Sequence, residues 1–240
     1  MRETIKDIEY LSSFISESEE IIAETLEELE QGEIRVDREP AMRRFVFSNI
    51  LHLTIARYSI GGTKEEVKKD LLAAISFADK AWAYPDDDPQ YSAFLFDWYS
   101  KAIWLVSLAS LLKLTPAETK PIFTVLDNSK NTDWLLEFMA RSIDPARSIA
   151  GSLVFPTVYG SLKEAVEEKD PIKASALVKR YLEKEWYQKH RQAYWHDIHK
   201  SAHTAFFGYW SFEAAAVVKI AGIDDGSFQD NQYYPKDMAR

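Results

Sequence analysis

The sequence predicts an all-α protein, a multi-helix bundle of two helical halves packed into one body, and three observations carry that prediction. Apolar residues near the N-terminus recur at helical spacing, and Ser/Thr-x-x-Glu starts punctuate the chain. Sustained period-two alternation is missing, as is any Asn-Gly or Asp-Gly hairpin between β-branched runs. Asp225-Gly226 lacks strand-like flanks, and nothing repeats at a fixed period.

Taken in order, Ile8, Leu11, Ile15, Ile22, Leu26 and Leu29 form one apolar stripe on a long helix over residues 5–29, which Gln31-Gly32 ends. A second helix runs from about Arg38 to Tyr58 and stops at Gly61-Gly62, so the two should pair antiparallel. Thr63 with Glu66, Thr115 with Glu118 and Pro116, and Ser161 with Glu164 read as capping starts, because the hydroxyl accepts from a free first-turn amide while the Glu reaches back. The apolar stretch Ala102–Leu112, closed by Lys101 and Lys113, is too short for a membrane span of roughly 20 residues and reads as a buried core helix. Asp170-Pro171 opens a helix expected to run to about His190, and another is expected from about Ala205 to Ala221, stopped by Gly222. A break near Asp127–Asn131 is the expected boundary between an N-terminal helical half, 1–127, and a C-terminal one, 128–240.

Composition narrows the function. With no cysteine, disulfides, thiolate zinc sites, iron–sulfur clusters and cysteine nucleophiles are excluded. The opening Met1-Arg2-Glu3-Thr4-Ile5-Lys6-Asp7 lacks the apolar run of a secretory signal, so a cytoplasmic protein without membrane attachment is expected. The net charge is −9, and residues 1–30 alone carry ten acids against Arg2 and Lys6. Such a surface repels phosphate backbones and attracts basic partners, which disfavours direct nucleic-acid binding and favours a basic protein. The same charges also suit a solvated helix face.

The phosphate-binding loop with Lys, the dinucleotide fingerprint, the Gly-x-Ser-x-Gly elbow and His-Glu-x-x-His are all missing. What remains is a histidine cluster, four of five lying between His190 and His203. His199 and His203 have the i, i+4 spacing of metal ligands on a helix. The His196-Asp197 pair suggests an alternative, a helical metal-dependent phosphohydrolase, with His52 and Asp224 as arbitrary further ligands. The plainer expectation is a structural hub of His196, His199, His203, Trp210 and Glu213. Glu213 lies in an apolar run, Phe206–Val218, where a carboxylate needs a partner such as His199, His203 or an Arg. Asp86-Asp87-Asp88 lacks the glycine and distal Glu of a calcium loop.

Tyr194-Trp195-His196-Asp197-Ile198-His199-Lys200-Ser201, then Phe207-Gly208-Tyr209-Trp210-Ser211-Phe212-Glu213-Ala214-Ala215-Ala216, Ile223-Asp224-Asp225 and Tyr233-Tyr234-Pro235-Lys236-Asp237 resemble the C-terminal domain of the PoNe immunity proteins. Met1-Arg2-Glu3-Thr4, Tyr10, Ile55-Ala56-Arg57-Tyr58-Ser59, Trp98-Tyr99 and Trp104–Ala109 resemble their N-terminal domain. The resemblance implies an antidote, not an enzyme, acting without cofactor in the cytoplasm and binding a cognate nuclease toxin of the kind often delivered by type VI secretion. A DNase presents a basic groove, so the expected toxin contacts are Glu17, Glu20, Glu24, Glu27 and Glu28, with Asp86, Asp87 and Asp88 as a second acidic patch.

Overall fold

The computed structural model describes residues 1–82, 95–129, 132–149 and 151–240, all helix, turn or irregular chain without strands. Its contacts divide into two compact units. The first comprises Met1–Leu95, Lys120–Asn128 and Asp197–Gly208, and the second Phe96–Thr119, Ser129–His196 and Tyr209–Arg240. Each unit draws on both sequence halves.

In the first unit, α1 (Ile8–Gln31) begins where the Asp7 carboxylate accepts from the Tyr10 amide, 2.8 Å, and ends at Gly32 in the left-handed region, φ 70°. The cap explains a start three residues later than the expected range 5–29. The buried row is Leu11, Phe14, Ser18, Ile22 and Thr25, whereas Ile8 is 56 % exposed. α2 (Glu39–Ile60) carries a proline in its first turn and stops at Gly61, φ 111°. Its second half is buried on most sides, through Ile50, Leu51, Leu53, Ile55, Ala56 and Tyr58. α3 (Lys64–Ala81) opens with the expected capping box: the Glu66 amide donates to the Thr63 hydroxyl at 3.2 Å, and the Thr63 amide to the Glu66 carboxylate at 2.7 Å. α2 packs against both α1 and α3, and short connections make these neighbours antiparallel.

In the second unit, α4 (Phe96–Leu111) is buried nearly all round, as its apolar sequence requires, and packs against α6 (Trp134–Arg141) and α10 (Phe212–Ala221). Asp133 caps α6 from a buried position, accepting from the Leu135, Leu136 and Val154 amides and the Tyr99 hydroxyl. α5 (Pro116–Asp127), which opens with the expected Thr115–Glu118 box, carries the chain from the second unit into the first. α7 (Pro156–Glu167) pairs with α8 (Pro171–Arg180), and α8 continues through a π turn, Tyr181–Glu185, into α9 (Trp186–Lys189). The expected helix to His190 therefore forms with one widened turn. A short α11 (Lys236–Ala239) closes the chain.

Two expected helix starts differ. Ser161 lies inside α7, which Pro156 starts a turn earlier, and its hydroxyl donates to Glu185 at 2.6 Å instead of capping. The helix expected from Ala205 begins at Phe212, because 205–211 spends its backbone groups elsewhere. The Ala205 and Phe206 amides donate to the Tyr10 hydroxyl, the Phe207 carbonyl accepts from Ser59, and the Ser211 amide donates to the Tyr233 carbonyl. Gly208 at φ 121° supplies a backbone conformation that other residues rarely adopt.

Candidate functional site

Charge separates between the units. The first holds 13 Lys and Arg against 22 Asp and Glu, the whole −9 of the chain, and the second holds 16 of each. Much of the excess lies on α1. At about 100° per residue, Glu17, Glu20, Glu24, Glu27 and Glu28 occupy an arc of about 100°, and they extend over roughly 16 Å of axis. All five are exposed, with Ile21, 42 % exposed, beside them. Glu27 accepts from Gln31 Nε2 at 2.8 Å, and among the described residues none of the five has an ion-pair partner. Asp86, Asp87 and Asp88 lie outside the described residues.

This stripe runs against the local physics of its helix. The C-terminal end of a helix carries partial negative charge, yet the last turn of α1 has no basic residue and Glu27, Glu28 and Glu30 crowd that end. Glu20–Glu24 and Glu24–Glu28 are i, i+4 pairs of like charge, each destabilising by a few tenths of a kcal/mol. Glu19, on another side of the helix, does contribute to folding. Arg57 on α2 donates to Glu19 at 2.6 Å and to Asp70 on α3, tying three helices together. Burial works against the guanidinium's charge, but its hydrogen bonds to Asp70 and Glu19 outweigh burial and raise its pKa. The sequence reading missed this junction; Arg57, the one Lys, Arg, Asp or Glu in residues 50–60 of α2, was its only signal.

The hub residues have separate surroundings. Glu213 is 1 % exposed, and its Oε1 accepts from Tyr181 Oη (2.8 Å), Trp186 Nε1 (2.7 Å) and Ser211 Oγ (2.7 Å). Its partners are thus hydroxyl and indole donors, not the histidine or arginine expected. The π turn lets one helix supply two of them, since an i to i+5 turn brings Tyr181 and Trp186 into one row. Burial raises the Glu213 pKa, against the hydrogen bonds of Ser211, its own amide, Tyr181 and Trp186. Trp210 is buried. His196, half-buried, has its ring 4.2 Å from that of Tyr187. His199 meets Phe206 edge-on, while His203 is exposed.

The shared helix face proposed for His199 and His203 does not form. Ile198–Lys200 is a single 3-10 turn, preceded by Asp197 at φ 62° and followed by bends. Asp197 pairs with Lys200 at 2.9 Å, His52 stacks on Phe207, and the Asp224 carbonyl accepts from Ser175. Among the described residues no three His, Asp or Glu side chains gather into a possible metal site. Nor is any described helix long and apolar enough to cross a membrane.

The family model for the N-terminal domain of the PoNe immunity proteins matches residues 2–123, and that for the C-terminal domain matches 131–238. The chain belongs to the PoNe immunity protein family. The crystal structure of protein PA2201 from Pseudomonas aeruginosa superposes with a TM-score of 0.70 at 17 % identity, over 100 % of this chain and 90 % of that one. At that identity it shares the fold alone. No curated protein gives a significant match. Of the residues that carry the family resemblance, Tyr10, Arg57, Ser59 and Phe207 join segments within the first unit, Tyr58 is buried there, and Trp195, Tyr209 and Glu213 are buried in the second, while Met1, Thr4, Lys200 and Lys236 are exposed. The acidic stripe is not among them.

Proposed function

We propose that this chain binds and neutralises a PoNe-type nuclease toxin by laying the acidic face of α1 across the toxin's DNA-binding groove. Family membership supports the immunity role. The docking face rests on one observation, a row of carboxylates that its own helix disfavours. Residues that oppose the local stability of a fold are best accounted for by a partner outside it.

A groove shaped for a phosphate backbone is lined by Lys and Arg, and the stripe offers it carboxylates at comparable density. Charge of this kind speeds encounter and fixes orientation, while affinity comes from a few desolvated anchors, for which Ile21 is placed. Asp86, Asp87 and Asp88 are assigned as a second acidic contact on their charge alone. The role requires no catalysis and no cofactor, and it belongs in the cytoplasm of a cell that makes a toxin for competition, type VI delivery being the expected setting.

Competition for the groove tests the mode. A catalytically inactive form of a candidate cognate PoNe-type nuclease is bound to a labelled duplex, and the immunity protein is titrated in. Release of the duplex in step with complex formation is expected. A stable ternary complex would place the contact away from the groove.

A further inference from the structure

Residues 197–208 come from the C-terminal half of the sequence but belong to the unit built around α1. Their attachment is specific. The Tyr10 hydroxyl on α1 accepts from two successive amides, Ala205 and Phe206, each at 2.9 Å. The Phe207 ring, 1 % exposed, lies 6.3 Å from Phe14 of α1 and stacks on His52 of α2 at 4.2 Å and 6°. Ser59, in the last turn of α2, donates to the Phe207 carbonyl at 2.7 Å.

We propose that this strap is the positioning element of the acidic helix. Through Tyr10, Phe14 and Phe207 it sets the rotation of α1 about its axis, and so the direction in which Glu17, Glu20, Glu24, Glu27 and Glu28 point. A helix is stiff, so a rotation set at Tyr10 is transmitted to Glu28, about 27 Å further along at 1.5 Å per residue. The C-terminal half of α1 has little grip of its own: Ile22 and Thr25 are its only buried side chains beyond Ser18. The Arg57–Glu19 ion pair is a second fixing point, but Glu19 is more than half exposed and easily redirected. Tyr10 and Phe207 are therefore positioning residues for toxin binding without touching the toxin, and the N-terminal half of the sequence does not present its acidic face unaided.

The proposal rests on the docking role of α1, and the test separates the two. In the full-length chain, Tyr10→Phe removes one hydroxyl and leaves two amides without their acceptor, and Phe207→Leu is a second variant of different chemistry. Amide hydrogen exchange is followed in α1 and in α10, with affinity for the same PoNe-type nuclease measured at two salt concentrations. The expected result is exchange in residues 16–28 faster by roughly tenfold, α10 unchanged, and affinity lower by about tenfold with a flatter salt dependence. Unchanged protection in α1 overturns the proposal. So does equal loss in α1 and α10 with the salt dependence intact, which is the signature of general destabilisation. Charge reversal, Glu24→Lys with Glu28→Lys, keeps the failures apart. If it weakens binding while Tyr10→Phe does not, the docking face stands and the strap proposal falls; if it leaves affinity unchanged, the docking face falls and takes the proposal with it.

Discussion

Replacing Glu24, Glu27 and Glu28 together by glutamine should make the protein more stable and a weaker toxin binder. Glu27 and Glu28 lie at the C-terminal end of α1, where the macrodipole disfavours negative charge by about 0.3 kcal/mol per group at an exposed position. Two like-charge pairs, Glu20–Glu24 and Glu24–Glu28, add about 0.3 kcal/mol each. Glutamine keeps helix propensity, and at 27 it keeps an acceptor for Gln31. The gain is roughly 1 kcal/mol, or about 2–4 °C in Tm for a chain of this size. On the proposed docking, binding moves the other way: three charges set against a basic groove at about 0.5–1 kcal/mol each amount to a loss of roughly 30-fold, shrinking as salt rises. Thermal denaturation of the free protein and titration against the nuclease at low and high salt read both effects. A lower Tm would mean the carboxylates serve the fold, and unchanged affinity would mean they do not meet the toxin; either refutes the reasoning.

Three further predictions concern stability. His190 is buried and neutral, Nδ1 donating to the Trp186 carbonyl at 2.6 Å and Nε2 accepting from Tyr159, and burial lowers its pKa to about 4. The unfolded chain then binds the extra proton first, so this site's stabilisation is complete above about pH 6.5 and lost as pH falls toward 4, about 2–3 kcal/mol by pH 4.5. Urea unfolding at pH 7 and 4.5 should show that loss in the parent and not in His190→Phe, and equal losses would contradict the assignment. Glu213→Ala orphans three buried donors and should cost about 3–5 kcal/mol in urea unfolding, with Glu213→Gln milder; a loss below about 1 kcal/mol would remove Glu213 as the organiser of its unit. Lys113 adopts φ 55° just past α4, so Lys113→Gly should raise stability by about 0.5–1 kcal/mol in the same assay, and destabilisation would show that its side chain outweighs the strain.

The sequence reads well wherever the chemistry is local. Thr63 and Thr115 cap their helices, Gly32, Gly61 and Gly222 end theirs in the left-handed region, and Ala102–Leu111 is core because no charged residue interrupts it. It misleads where one pattern serves two environments. Ser161-x-x-Glu164 looks like a cap but sits inside a helix that Pro156 had already started. Phe206–Val218 is apolar on every side, so no period marks where extended chain becomes helix; hydrogen bonds from Tyr10, Ser59 and Tyr233, 22 to 196 residues away in sequence, decide it. The acidic stripe was legible as charge, but its distinction from Glu19 was not, because that depends on where Arg57 arrives from α2.

Neutralisation by a stoichiometric complex is tested most directly by a DNA-cleavage assay with a PoNe-type nuclease as this chain's candidate cognate toxin. Titrating the immunity protein should abolish cleavage at one equivalent, in step with complex formation observed in parallel. Cleavage continuing undiminished at excess, with no complex formed, would contradict it.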